Sequence, residues 1–193
     1  VHIITTPEAR DQHYSAYVES GSFSTTRATF SGNLSNDKNH AKLSIDYFDS
    51  KGSNISRIGS EDDGLENLTV SLSGRYSSND NLDVTYTLRH PDKTTEFDGV
   101  DFFNTGLPED ADNTTDSAYL YGGISFSYIF NDVFDHSLAL YRTESDNKTN
   151  PSNDKQRGTR QQWRYQLNAT GKSHRVSLRA EREPEDFVQR GAA

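Results

Sequence analysis

The chain has 193 residues, enough for one medium domain, yet only 31% are hydrophobic and the mean hydropathy is −0.89, so a conventional core is hard to fill. A net charge of −9 argues against a nucleic-acid partner, which needs clustered Lys and Arg to neutralise phosphates. Cysteine is absent, which removes disulfides and thiolate metal sites, and no run approaches the ~18 consecutive apolar residues of a spanning helix, so any membrane role must come through strands.

From the N-terminus, "VHIITT" begins abruptly at Val1 without a charged-then-apolar leader, as though cut from a longer sequence. Period-two alternation then starts. Tyr14, Ala16 and Val18 mark a first strand, Ala28, Phe30 and Leu34 a second, and Leu43, Ile45 and Tyr47 a third. In "ENLTVSLSGRYSSNDNLDVTYTLRH", Leu68, Val70, Leu72 and Tyr76 share a parity with Leu82, Val84, Tyr86 and Leu88, and the intervening "SSNDN" supplies turn residues for a hairpin. Ala118, Leu120, Ile124, Phe126, Tyr128 and Phe130 predict the longest strand. Leu138 and Leu140, then Trp163, Tyr165, Leu167 and Ala169, then Val176, Leu178 and Ala180 complete an all-β, antiparallel meander of about nine strands. Helical spacing is nowhere sustained.

The connections alternate in length. Short turns are expected at 36–39, 78–81, 131–135 and 170–174, and longer stretches at 50–65, 92–116 and 147–158. Antiparallel strands reverse at each connection, so the short turns gather at one end of the sheet and the long loops at the other, the asymmetry of outer-membrane barrels. Charges on the apolar parity fall at strand ends (Asp49, Glu66, Asp132, Arg142, Arg182), while Arg27, Asp46, Arg75, Arg164, Gln166 and Arg175 take the other parity. Tyr47, Tyr76, Phe130 and Trp163 fall on the apolar parity near strand ends, as interfacial aromatic girdles do. A soluble β-sandwich shares the alternation, with its apolar face turned inward. The loop asymmetry and the small apolar inventory favour part of a large transmembrane β-barrel, whose apolar surroundings are lipid.

Acid is concentrated in the expected loops: residues 92–116 hold eight Asp or Glu against one Lys, and "SEDDG" adds three more carboxylates. Such loops are either solvated surface or a site for calcium, a hard cation that takes carboxylate and carbonyl oxygens from flexible segments. The six histidines are scattered without metal spacing, no "GxSxG" elbow or comparable arrangement suggests a nucleophile, and no enzyme is expected. The Asn-X-Ser/Thr triplets at Asn54 and Asn67 are expected by chance in a chain this rich in those residues.

These segments resemble the TonB-dependent outer-membrane receptors, and among them the cobalamin receptors. "VHIITTPEARDQHYSAYVESGSFSTTRATFSGNLS" resembles the end of their plug domain running into the first barrel strands. "SEDDGLENLTVSLSGRYSSNDNLDVTYTLRHPDKTTEFD" is similar to their second extracellular loop and the following hairpin, "FDGVDFFNTGLPEDADN" to their third loop, and "AEREPEDFVQRG" to strand and loop sequences of related receptors. The resemblance implies that residues 1–12 end a plug and its linker and that 13–193 are the N-terminal part of a plugged barrel of roughly 22 strands, so the chain is expected to be a fragment of a protein that is monomeric when complete. It implies residence in the outer membrane of a Gram-negative bacterium, contact with its lipid, and TonB-driven import through an N-terminal segment not in this chain. The implied substrate is a large scarce nutrient, cobalamin or a ferric siderophore, met by 51–65, 92–116 and 147–158. The receptors' "DNDG" resembles Glu61-Asp62-Asp63-Gly64, which carries calcium-ligand roles onto Glu61 and Asp63; their later acids resemble Asp98 and Asp110, with Glu109 as the neighbour if the alignment shifts by one. A passive porin shares the strand pattern but gives no reason for a plug-like "HIITT" segment.

Overall fold

The computed structural model describes residues 12–56 and 59–191. The expected plug end lies outside the described residues, apart from Gln12. The chain is all-β, with antiparallel strands β1 (His13–Ser20), β2 (Thr26–Ser35), β3 (His40–Ser53), β4 (Asp63–Asn79), β5 (Leu82–Val100), β6 (Pro108–Ile129), β7 (Phe134–Asn150), β8 (Asp154–Thr170), β9 (Arg175–Arg182) and β10 (Glu185–Arg190). Each pairs with its predecessor in one open sheet, except that β9 and β10 both pair with β8.

β9 and β10 occupy a single strand position. Trp163 faces Arg182 and Arg160 faces Glu185, so the register continues unchanged across the gap. The break is chemical: Gln161 N donates to the Pro184 carbonyl at 3.0 Å, but proline has no N–H for the return bond. The meander is therefore nine positions wide although it counts ten strands.

The register assembles the apolar parity into one band across the sheet, with His90 opposite Val70 on its outer side. Ala16 faces Phe30, Phe30 faces Ile45, Ile45 faces Val70, and the row below carries Leu43, Leu72 and Leu88 side by side. Further across, Ile124 faces Leu140, Leu140 faces Trp163, and Leu167 faces Leu178. Among the described residues nothing covers this band. Among the described residues no hydrophobic side chain is buried, and Val18 (75%) and Leu178 (64%) are largely exposed. All described strands lie in this one sheet, with no second layer opposite Leu68, Val70 and Leu72.

The other face is held by polar pairs. Asp46 accepts from Arg27 (3.0 Å) and Thr29 (2.6 Å), Arg75 donates to Asp83 (2.9 Å), and Thr85 meets Ser125 at 2.7 Å. Buried Asn168 donates to Asp135 at 2.5 Å and accepts from Ser177 at 2.6 Å. Aromatic rings cover four glycines across paired strands: Tyr14 over Gly32, Tyr86 over Gly74, Tyr141 over Gly123 and Phe187 against Gly158.

The short-turn end matches the expected turns. Asn36 Oδ1 accepts from the backbone N–H groups of Lys38 (3.0 Å) and Asn39 (2.8 Å), and Asn131 Oδ1 does the same for Val133 and Phe134 (both 2.9 Å). The opposite end differs from expectation. The stretches 92–116 and 147–158 are mostly strand, because β5 runs to Val100, β6 starts at Pro108 and β7 hands over to β8 through residues 151–153 alone. The asymmetry resides in polar strand extensions beyond the apolar band rather than in long irregular loops.

Candidate functional site

The acid gathers where these extensions meet the connection 54–62. Two irregularities shape the place. Pairing of β3 with β4 shifts between Ser50 and Ser53, and Gly52 there takes φ +68°, with the Asp63 carbonyl lying where a Cβ would stand. Pairing of β5 with β6 shifts between Phe97 and Gly99: Phe97 faces Asn113 while Gly99 faces Glu109, so Asp98 stands opposite the segment containing Asp110 and Asp112.

Asp110 is fixed by the 54–62 connection. Its Oδ1 accepts from Asn54 Nδ2 at 3.3 Å and its Oδ2 from the Ser60 backbone N–H at 3.2 Å. Gly59, at φ +120°, lets this carboxylate lie against the backbone where any side chain would collide with it. Asn54 N donates to Asp62 at 2.9 Å, and Gly64 N donates to Glu96 at 2.8 Å.

Asp63 and Asp98 are less well partnered. Asp63 Oδ2 and both carboxylate oxygens of Asp98 are buried without a hydrogen bond. Burial, then the charges of Asp98, Asp110, Glu96 and Asp62, push the Asp63 carboxyl above its usual range. A hydrogen bond with Asp112, loss of hydration and the charges of Asp112, Asp110 and Glu96 push Glu61 up to about 7.

Glu61, Asp63, Asp98 and Asp110 thus belong to one electrostatic cluster. Glu109 pairs with Gly99 and is exposed. Asp110, in contrast, is held by Asn54 and Ser60 within the cluster. Glu96 and Asp112 are members that the sequence reading missed. Their spacing held the signal: Glu96 with Asp98, and Asp110 with Asp112, are i, i+2 pairs that a strand directs to one side.

The donor set suits a hard cation, since every candidate ligand is a carboxylate or carbonyl oxygen and the three orphaned oxygens are costly without a positive partner. Among the described residues no three His, Cys, Asp or Glu side chains stand in a preformed chelating arrangement. The chemistry of these oxygens fits calcium.

A second hollow, about 330 Å³, lies at the short-turn end between residues 35–40 and Arg75, Ser77, Asp80 and Asp83. Two of its charge pairs are internally matched, Lys38 with Asp80 at 3.2 Å and Arg75 with Asp83 at 2.9 Å. Compared with protein-family models, curated proteins and solved structures, the chain finds no match.

Proposed function

We propose that this chain forms the first part of the barrel of a TonB-dependent outer-membrane receptor, which takes up a large scarce nutrient past a plug. One observation carries the reading: a single coreless sheet with one continuous apolar band and one hydrogen-bonded polar face. Each Leu or Phe left in water forgoes about 1.5–3 kcal/mol, so the band needs a cover. Lipid supplies one without a second layer. From Leu68 to Tyr76 the band runs about 27 Å along β4, or about 20 Å of height at the ~40° tilt of such barrels, comparable to their ~25 Å apolar belt.

The acidic cluster serves this role as a calcium site at the outer end. Glu61, Asp63, Asp98 and Asp110, with Glu96 and Asp112, would hold the ion, whose charge offsets theirs and ties the 54–62 connection to β5 and β6. By its family resemblance the receptor transports rather than catalyses.

Nitroxide labels at Val70, Leu72, Leu140 and Ser71 in the membrane-inserted protein test the reading. Collision with lipid-soluble oxygen is expected at Val70, Leu72 and Leu140 and not at Ser71. Protection of Val70 and Leu72 from both oxygen and water would instead place a second protein layer over them and overturn the barrel.

A further inference from the structure

The apolar face carries a groove of about 460 Å³ where the band meets the polar extensions of β6–β8. Gly122 leaves the gap. In its row Leu88, Gly122, Arg142 and Gln161 stand side by side, and the row beneath carries Ile124, Leu140 and Trp163. These residues line the groove. A Cβ on Gly122 would stand 3.7 Å from a Leu88 methyl, an ordinary van der Waals contact, so packing within the sheet does not demand glycine there. What the glycine provides is space on the open face. On the receptor reading this face meets lipid, and the rest of the barrel continues to either side of the sheet rather than over it.

The outer rim of the groove is cationic. On the apolar parity, the first residue beyond the band is Arg142 on β7 and Arg182 on β9, whereas it is Asp49 on β3 and Glu66 on β4. Arg182 faces Trp163 directly and Arg142 stands diagonally across from it, so two guanidiniums flank the indole. Arg142 bonds Glu144, a carboxylate that Arg157 also approaches at 3.9 Å. Two arginines thus share one acid, and with Arg182 the rim keeps a net positive charge. Further out on the same face Lys148 faces Lys155, and Lys155 faces Arg190. Like charges directly opposed across strands repel, and an anionic surface beside them would relieve the repulsion.

We propose that the groove over Gly122 holds one chain of a membrane lipid whose phosphate is taken by Arg142 and Arg182. The proposal rests on the receptor reading and adds to it a lipid selected by charge, beyond general contact with the bilayer. Leu88, Ile124 and Leu140 give the chain an apolar floor continuous with the band. Trp163 walls the groove at the level where chain gives way to headgroup, the depth that suits an amphipathic ring. Guanidiniums match phosphate oxygens with paired, charge-assisted hydrogen bonds. The acidic margin over β3 and β4 would repel the same headgroup, which places the site on β6–β9.

The test uses the full-length protein that carries this chain, purified in detergent, with native mass spectrometry to count retained lipid. Dioleoylphosphatidylglycerol and dioleoylphosphatidylcholine are the probes, because they share their chains and differ in net charge. One phosphatidylglycerol is expected to be held roughly tenfold more tightly than phosphatidylcholine. R142Q/R182Q is expected to abolish that preference, and G122L to weaken both lipids by filling the groove, while G122A, which the sheet accommodates, keeps most of the binding. Equal retention of the two lipids by the unmodified protein overturns the site, as does an unchanged preference in R142Q/R182Q or unchanged affinity in a folded G122L. If G122L fails to insert, R142Q/R182Q decides alone, since both arginines are exposed and carry no packing of the sheet. In each of these cases a protein that fractionates with the outer membrane leaves the receptor reading standing. Fractionation away from the outer membrane removes the receptor reading and the lipid site together.

Discussion

Glu61 makes the acidic cluster measurable. Its ordinary value of 4.5 is raised to about 7, so between those limits the folded state keeps a proton that the unfolded chain releases. The stabilisation is therefore fully present below 4.5 and lost as pH rises through about 7. Without divalent cations, protection factors for the backbone amides of 59–64 are expected to fall across that window, and Glu61→Gln is expected to flatten the fall. Calcium at pH 8 should restore the protection, because an ion among the carboxylates replaces the proton. Asp98→Asn, which removes the charge from two orphaned oxygens, should weaken calcium by roughly tenfold. A pH-independent protection profile in the unmodified protein, measured by hydrogen exchange, would contradict the cluster as described. The four candidate acids Glu61, Asp63, Asp98 and Asp110 were reached through resemblance. Glu96 and Asp112 stayed hidden because acidic, Thr- and Asn-rich text such as "EDADNTTD" has the composition of a loop while pairing as a strand.

At the scale of elements, alternation located the strands wherever one parity was oily, since a half-buried or lipid-facing strand needs a period of two. It lost them above the band, where both parities of β5, β6 and β7 are polar and cross-strand hydrogen bonding alone keeps the ladder going. The break at Pro184 was visible in "AEREPEDF" only as a generic interruption; its in-register continuation became plain from the pairing with β8. The glycine–aromatic pairs grade the cost of filling the sheet. At Gly32 a Cβ would stand 3.1 Å from the Tyr14 ring, and at Gly123 it would stand 2.6 Å from the ring of Tyr141. At Gly74 it would meet both the Tyr86 hydroxyl and the His40 backbone carbonyl, and the carbonyl has no rotamer to move into. Unfolding of alanine variants should therefore rank G74A as the most destabilising, then G123A, then G32A, with the first in the ~1–3 kcal/mol range of overpacking. Equal losses at the three positions would mean that the aromatic partners, rather than the backbone, set the limit.

For the whole molecule, the decisive quantity is the surface that the sheet leaves open. One face is oily from Val18 on β1 to Leu178 on β9, and among the described residues β1 and the β9–β10 line have no outer strand partner. Either liability alone drives association in water, the band through the hydrophobic effect and the edges through strand addition. Together they predict a chain that has no stable monomeric state in buffer and that keeps its β content when detergent micelles cover the band. Refolding into micelles against refolding into buffer separates the causes, with circular dichroism and sedimentation as readouts. In buffer the expected product is a sedimenting β-rich aggregate. In micelles it is a small β-rich particle whose residual association is relieved when charges are placed on the edge strand, as in Tyr17→Lys on β1. A monodisperse, folded monomer in plain buffer would require the apolar face to be covered by protein, and would turn the alternation of Leu68, Val70 and Leu72 from a lipid signal into a core signal.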